Sequence, residues 1–164
     1  MQLYYQTHSP FARKVLVFAI EAGLEQRLEV LHQETSPVHR NELVSGQNPL
    51  GKVPVLLRPA QVPLVDSAVI CDYLDTLHRG PKLVPAEGEW RWNALRLQAV
   101  ASGLAETGIA LRWEMVRRPE HLRYSRLADG YREKLEATYA WLDRVLDIDG
   151  SIHVGHIAVA TALD

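Results

Sequence analysis

The stretch that decides the fold is Tyr4-Tyr5-Gln6-Thr7-His8-Ser9-Pro10-Phe11-Ala12-Arg13-Lys14. Its apolar start predicts a short strand, and the polar turn after it leads into a helix that begins at Pro10. Proline suits a first helical position because its φ already fits the helix and the N–H it lacks would have no partner there. Ser9 is therefore predicted to be the N-cap. Unpaired backbone N–H groups and the positive end of the helix dipole converge there, so the position can hold an anion.

The composition narrows the class of protein. A chain of 164 residues with 47% hydrophobic content can bury a real core. A net charge of −2 gives no basic footprint, which disfavours nucleic acid and anionic membranes as partners. The single cysteine, Cys71, excludes an internal disulfide, and we expect it to be a small buried apolar residue. We see no signal peptide or membrane-spanning apolar run, so we expect a cytoplasmic protein.

The first half of the chain alternates strands and helices. The apolar spacing predicts a helix over Pro10 to Ala22, a strand over Leu28 to Leu31, a short or irregular helix within Pro37 to Gly46, strands over Val55 to Leu57 and Val62 to Val65, and a helix opened by Asp66-Ser67. A strand-helix-strand unit this short implies a parallel pair with a right-handed crossover. The predicted order is βαβ followed by ββα.

The segment Asn48-Pro49-Leu50-Gly51-Lys52-Val53-Pro54 leads into the third strand. Pro54 cannot donate to a sheet ladder, so it should lie at the first residue of the strand or on an edge. A cis Val53–Pro54 bond would turn the chain sharply. The backbone N–H and C=O of Val53 would then be exposed to a ligand.

The sequence pattern of the second half predicts helices. A proline- and glycine-rich linker ends near Gly88, and apolar residues then recur on one helical face from Glu89 to Arg118, where Pro119 ends the helix. A second long helix is predicted over about Glu120 to Leu146, and a third begins at His153.

This order of motifs resembles the glutathione S-transferase family. The resemblance rests on Ser9-Pro10-Phe11 opening the first helix, NPLGKVP before the third strand and Asp66-Ser67 opening the third helix. It implies an α/β plus all-α fold: a thioredoxin-like βαβ-ββα glutathione-binding domain over residues 1–79, a linker over 80–88 and a helical-bundle domain over 89–164. Family members continue with further helices, so we expect the helical domain to be incomplete at its C-terminus.

Two positions distinguish this chain from other members of the family. The chain is similar to bacterial members that use serine, because Ser9 stands where omega-type relatives carry cysteine. Disulfide chemistry through a mixed disulfide at this position is thereby disfavoured. The family usually caps the last predicted helix with Ser or Thr followed three residues on by Asp, whereas this chain has His153 and His156, which predicts a weaker cap. No third ligand is evident for a metal at these histidines, so we expect none.

The resemblance implies a glutathione site in the first domain. Ser67 and the N-terminus of its helix would hold the γ-glutamyl carboxylate, and Asp66 would meet the ammonium, although an Asp-Ser pair can also simply cap a helix. The Val53 backbone would pair with the cysteinyl part like an added strand, with Pro54 holding that conformation. Lys52 would reach the glycyl carboxylate or be a solvated lysine without a role.

Ser9 is the predicted catalytic residue, since its hydroxyl would donate a hydrogen bond to the glutathione thiolate. Thr7 and His8 are rival contacts, because a one- or two-residue error in the turn would exchange their places with Ser9.

The family places its electrophile pocket between this turn and the long helix. Helical spacing suggests as lining residues Phe11, Gly108, Leu111, Arg112 and Met115. Core packing explains Leu111 and Met115 equally well, and Arg112 is either a contact for an anionic substrate group or a solvated side chain.

The function that the resemblance implies is transfer of glutathione, the co-substrate, to a small-molecule electrophile, typical of detoxification, by a homodimer without a metal. One alternative is a glutathione-dependent isomerase or dehalogenase, in which the thiolate adds and is later released. Another is a non-catalytic binding or dimerisation module that keeps the fold. The presence of Ser9, Val53-Pro54 and Asp66-Ser67 together argues against a pure scaffold.

Overall fold

The structure, a computed structural model, describes residues 1–164. The strands are β1 (Gln2–Tyr5), β2 (Glu29–His32) and β3 (Val55–Leu57). The helices are α1 (Pro10–Glu21), α2 (Glu42–Ser45), α3 (Ser67–Asp75), α4 (Gly88–Arg112), α5 (Ser125–Val145) and α6 (Val154–Leu163). No helix combines the length and the apolar character needed to span a membrane.

The sheet has three strands in the order β2-β1-β3. β1 runs parallel to β2 and antiparallel to β3, which confirms the parallel first pair joined through α1. The predicted fourth strand, Val62 to Val65, is wrong in extent, since it is reduced to one bridge between Leu64 and Leu56. Pro63 has no N–H to add to the ladder, and α3 begins directly afterwards.

The main core lies between this sheet and the helices. Leu3 of β1, Phe18 of α1, Leu56 of β3 and Ile70 of α3 are all fully buried. Side chains of this size each stabilise the fold by about 1.5–3 kcal/mol when they are fully buried. A second buried cluster joins α4, α5 and α6.

The predicted linker is packed although it has no periodicity. Leu83 and Val84 belong to the main core. Their backbone N–H groups donate to the buried carboxylate of Asp75, at 2.9 and 3.4 Å, and His78 Nε2 lies 3.0 Å from the same carboxylate. The end of α3 therefore fixes the segment that leads into α4.

The long helices are shorter than predicted. α4 ends at Arg112, and the chain continues as a π-helical turn, Trp113–Arg117. The buried carboxylate of Glu114 accepts hydrogen bonds from the Tyr124 backbone N–H (2.6 Å) and from Arg118 Nε (2.7 Å), which joins this turn to the start of α5. α5 therefore begins after Tyr124, while residues 120–122 form only a short 3₁₀ turn.

α6 is capped by the two histidines. His153 Nδ1 accepts the Gly155 N–H at 3.1 Å, and His156 Nδ1 accepts the His153 N–H at 3.4 Å. The two rings stack with their centroids 3.8 Å apart, and the edge of Trp90 meets His153. The cap is formed, so the departure from Ser and Asp changes its chemistry without removing it.

Candidate functional site

The topology brings the three sequence motifs to one end of the sheet. Tyr4 pairs with Val55, so the antiparallel register carries Val53 opposite Gln6, which precedes the turn to Ser9. Leu56 pairs with Leu64, so the same rule carries Asp66 opposite Pro54. The N-termini of α1 and α3 and the segment before β3 consequently meet at this end.

Buried side chains lock the three motifs together. Tyr4, Ala12, Val53 and Val55 share one buried cluster, and Val65, which directly precedes Asp66, packs against it. These apolar contacts hold the β1 end, the segment before β3 and the start of α3 in fixed positions relative to one another.

Ser9 is the N-cap of α1. It has extended backbone angles, and its Oγ accepts the Ala12 N–H at 3.2 Å. A serine hydroxyl has one hydrogen to donate and two lone pairs, so the cap bond leaves its O–H free for a ligand. The hydroxyl lies where the helix dipole favours a negative charge.

The rival residues in the turn are placed differently. The Thr7 N–H donates to His32 Nε2 at 3.3 Å, and the Thr7 hydroxyl lies 3.0 Å from the same nitrogen. Both contacts tie Thr7 to His32 of β2. His8 is exposed and lies before the first turn of α1. Of the three residues, Ser9 is the one that caps α1.

The segment before β3 is held by a residue to which the sequence assigned no role. The buried Asn48 donates from Nδ2 to the Lys52 carbonyl at 2.8 Å, and its Oδ1 accepts the Leu50 N–H at 3.1 Å. The Val53–Pro54 peptide bond is cis, Val53 is buried and Lys52 is exposed. Asparagine directly before proline marks a turn, but that signal does not show which backbone groups the side chain binds.

Asp66 and Ser67 open α3. Asp66 Oδ1 accepts the N–H groups of Ala68 (2.9 Å) and Val69 (3.3 Å), so Asp66 is the N-cap of α3. One of its two carboxylate oxygens therefore caps the helix, as the alternative interpretation of the Asp-Ser pair predicted. Ser67 is the first residue of the helix and only 2% exposed. A second carboxylate oxygen of Asp66 remains for a cation beside this helix N-terminus.

A small cavity lies beside the N-terminus of α1. It has a volume of about 10 Å³, which is room for one water-sized group. Pro10, Phe11 and Lys14 form the α1 side of the cavity. The α4 and α6 side consists of small residues, among them Ala101, Ala105 and Ala158.

The other predicted electrophile contacts lie further along α4. Gly108, Leu111 and Arg112 are two or more turns beyond Ala101, and Met115 lies in the π-helical turn. Leu111 and Met115 are half-buried and belong to none of the three buried clusters, and Arg112 is exposed. Phe11 therefore lines the cavity. Gly108, Leu111 and Arg112 lie in the C-terminal part of α4, and Met115 lies in the turn that follows it.

Cys71 and a possible metal site are the two remaining features that the sequence analysis considered. Cys71 is fully buried, and burial raises the pKa of its thiol to about 12, which keeps it protonated. The structure contains no group of three or more histidine, cysteine, aspartate or glutamate side chains arranged to hold a metal ion.

Known proteins are similar to this chain in both sequence and structure. Residues 8–77 match the family model described as glutathione S-transferase, N-terminal domain. A glutathione transferase family member from Pseudomonas fluorescens Pf-5, crystallised with bound glutathione, is 34% identical with a TM-score of 0.95, over 99% of this chain and 80% of that one. The chain belongs to the glutathione S-transferase family.

Two other relatives also match almost the whole length of this chain. The structure from Pseudomonas fluorescens Pf-5 with bound S-(propanoic acid)-glutathione has a TM-score of 0.90 and 33% identity, over 99% of this chain and 80% of that one. The uncharacterized GST-like protein YibF of Escherichia coli is 27% identical over 161 residues, which is 98% of this chain and 77% of YibF. These matches establish the thioredoxin-like domain followed by a helical domain.

Proposed function

We propose that this protein is a glutathione transferase that conjugates the glutathione thiolate to a small electrophile. The observation that carries the proposal is the convergence of Ser9, the Val53–Pro54 segment and Asp66-Ser67 at one end of the sheet. The Pseudomonas fluorescens relatives, which hold glutathione and S-(propanoic acid)-glutathione, support glutathione as the molecule that this site takes.

In the proposed binding mode, each part of glutathione meets a group of matching chemistry. The γ-glutamyl carboxylate lies at the α3 N-terminus and Ser67, where unpaired N–H groups and the dipole favour an anion. The γ-glutamyl ammonium meets the free oxygen of Asp66. The cysteinyl backbone pairs with Val53 as an added strand, which Pro54 and the Asn48 brace hold in place, and Lys52 meets the glycyl carboxylate.

In the proposed mechanism, Ser9 stabilises the thiolate. Its O–H donates to the sulfur, while its Oγ keeps the cap bond to Ala12. The thiolate attacks the electrophile, which Phe11 and the facing side of α4 hold beside it. We keep Gly108, Leu111, Arg112 and Met115 in the proposal as the outer wall for larger electrophiles. Holding the two reactants together supplies much of the rate enhancement.

The proposal includes a homodimer, in line with the family resemblance. The exposed Val69 of α3 and Trp92 of α4 provide apolar surface that association would bury. The oligomeric state is measurable by sedimentation equilibrium.

Calorimetric titration with glutathione tests the site through Ser67→Ala. We expect the wild-type chain to bind glutathione and the variant to bind it roughly 10-fold more weakly, since one hydrogen bond to a charged carboxylate is lost. The matched control is Ser125→Ala, because Ser125 is also the first residue of a helix but is exposed and lies on α5. No binding by folded wild-type protein, or equal weakening in both variants, would refute the site.

A further inference from the structure

The connection between α4 and α5 contains a continuous exposed segment. Every residue from 116 to 127 is exposed, whereas Glu114 before this segment and Ala128 after it are buried. We call residues 116–127 the α4–α5 turn. Because no neighbouring element covers it, its side chains are free to contact a partner outside the chain.

The α4–α5 turn is strongly basic. It has four arginines and one glutamate, a formal charge of +3 in a chain whose net charge is −2. Only Arg118 has an acidic partner, which is Glu114. None of the six ion pairs in the structure includes Arg117, Arg123 or Arg126. The composition of the whole chain conceals this local positive charge.

Apolar side chains lie between the arginines. Val116, Leu122 and Tyr124 are each more than half exposed, and Leu127 is 39% exposed. A single exposed apolar side chain is normal on a protein surface, but four of them within twelve residues form a patch. The turn therefore presents positive charge and apolar surface together.

Hydrogen bonds hold the turn in this form. Glu114 joins it to the rest of the chain through the Tyr124 N–H and Arg118 Nε, and Arg123 Nε donates to the Arg118 carbonyl at 3.1 Å. A surface that is already ordered loses little conformational entropy when it binds a partner.

We propose that the α4–α5 turn docks the protein on an anionic lipid surface. Arginines of such a segment pair with the headgroup phosphates, and the apolar side chains between them enter the boundary of the acyl chains. A nucleic acid would match the charge of the turn but would leave Val116 and Leu122 in water. A lipid surface yields around an exposed turn, whereas a protein partner would need a groove of matching shape. This inference goes beyond the proposed transferase function and does not depend on it.

The experiment is co-sedimentation of the protein with vesicles made of equal parts phosphatidylcholine and phosphatidylglycerol, and with vesicles of phosphatidylcholine alone. We expect binding to the anionic vesicles only. Each arginine near an anionic surface contributes roughly 5-fold in affinity, so Arg117→Gln combined with Arg126→Gln should weaken binding about 25-fold. Leu122→Ser should also weaken it, although the charge is unchanged.

The matched control is Arg79→Gln combined with Arg144→Gln. These arginines are also exposed and outside the six ion pairs, and they lie outside the turn, so their loss should change the affinity less than about 2-fold. Circular dichroism checks that each variant is folded.

Three results would overturn the proposal. One is equal weakening in the two double variants, which would assign binding to net charge rather than to the turn. The second is failure of the wild type to bind the anionic vesicles at low salt. The third is a gel shift of a short DNA duplex by a protein that does not bind the vesicles, which would assign the arginines to nucleic acid.

Discussion

Ser9 combines a structural and a proposed chemical role in one hydroxyl. Its oxygen caps α1, and its hydrogen is free for the thiolate. A cysteine thiol with a pKa of about 8.5 is only about 3% ionised at pH 7, and lowering that pKa by about two units makes about three-quarters of it thiolate. Nucleophilicity falls with basicity at a slope of about 0.4–0.5, which offsets most of the gain.

Ser9→Ala should therefore slow conjugation of a generic aromatic electrophile only roughly 2- to 4-fold at pH 7 and saturating glutathione. The deficit should vanish and then reverse as the pH rises past the pKa of the bound thiol in the variant, because both thiols are then ionised and the more basic thiolate is the better nucleophile. The measurement is kcat against pH, together with thiolate absorbance of bound glutathione. Ser9→Thr keeps the hydroxyl and is the control. An unchanged thiol titration in Ser9→Ala would remove Ser9 from the mechanism.

At the scale of the element, α6 depends on an unusual cap. Both Nδ1 atoms of His153 and His156 act as acceptors, so both must be unprotonated. Burial lowers the pKa of His153 from its ordinary 6.5, and the charge of His156 lowers it further. The unfolded chain consequently binds a proton more readily than the folded chain in the window just below pH 6.5.

The stability of the protein should fall as the pH drops below about 6.5, by about 1 kcal/mol from this cap. The contribution is fully present above that pH and lost through the lowered pKa of His153. Chemical denaturation at pH 7 and pH 5 measures the change in the free energy of unfolding. A double variant with His153→Ser and His156→Asp should lose less over the same range. Identical pH dependence in the two proteins would contradict this account.

At the scale of the whole molecule, α6 joins the two halves. Val154 and Ile157 belong to the main core with α1 and the sheet, while Ala158 and Val159 belong to the cluster with α4 and α5. The close approach of α6 to α4 depends on Gly155. A Cβ at that position would lie 2.7 Å from the Ala94 carbonyl oxygen and 2.8 Å from Leu97 Cβ.

Gly155→Ala should lower the free energy of unfolding by about 1–3 kcal/mol, because a backbone oxygen cannot yield as a flexible side chain can. Gly103→Ala is the matched control, since a Cβ there meets nothing within 4 Å. Alanine in the middle of α4 should stabilise the protein by up to about 1 kcal/mol. Denaturant titration of the three proteins gives both values, and opposite signs are the expected result.

Local sequence was enough to predict where α1 and α3 begin and the order of the motifs. Ser9-Pro10 and Asp66-Ser67 open α1 and α3, because capping depends on backbone groups within the next few residues. The parallel pairing of β1 with β2 follows from the short crossover. The residues that open these two helices could therefore be predicted one by one, and their part in a glutathione site stays a proposal.

Contacts between distant segments decided the rest. The fourth strand is cut to one bridge, Leu83 and Val84 of the linker enter the core, and the Asn48 brace becomes evident only with the loop around it. Lys14 is the clearest case, because its place in α1 looks like that of any solvated lysine. Its burial comes from small residues of α4 and α6 packing against α1, and burial is a sum over neighbours that no local pattern contains.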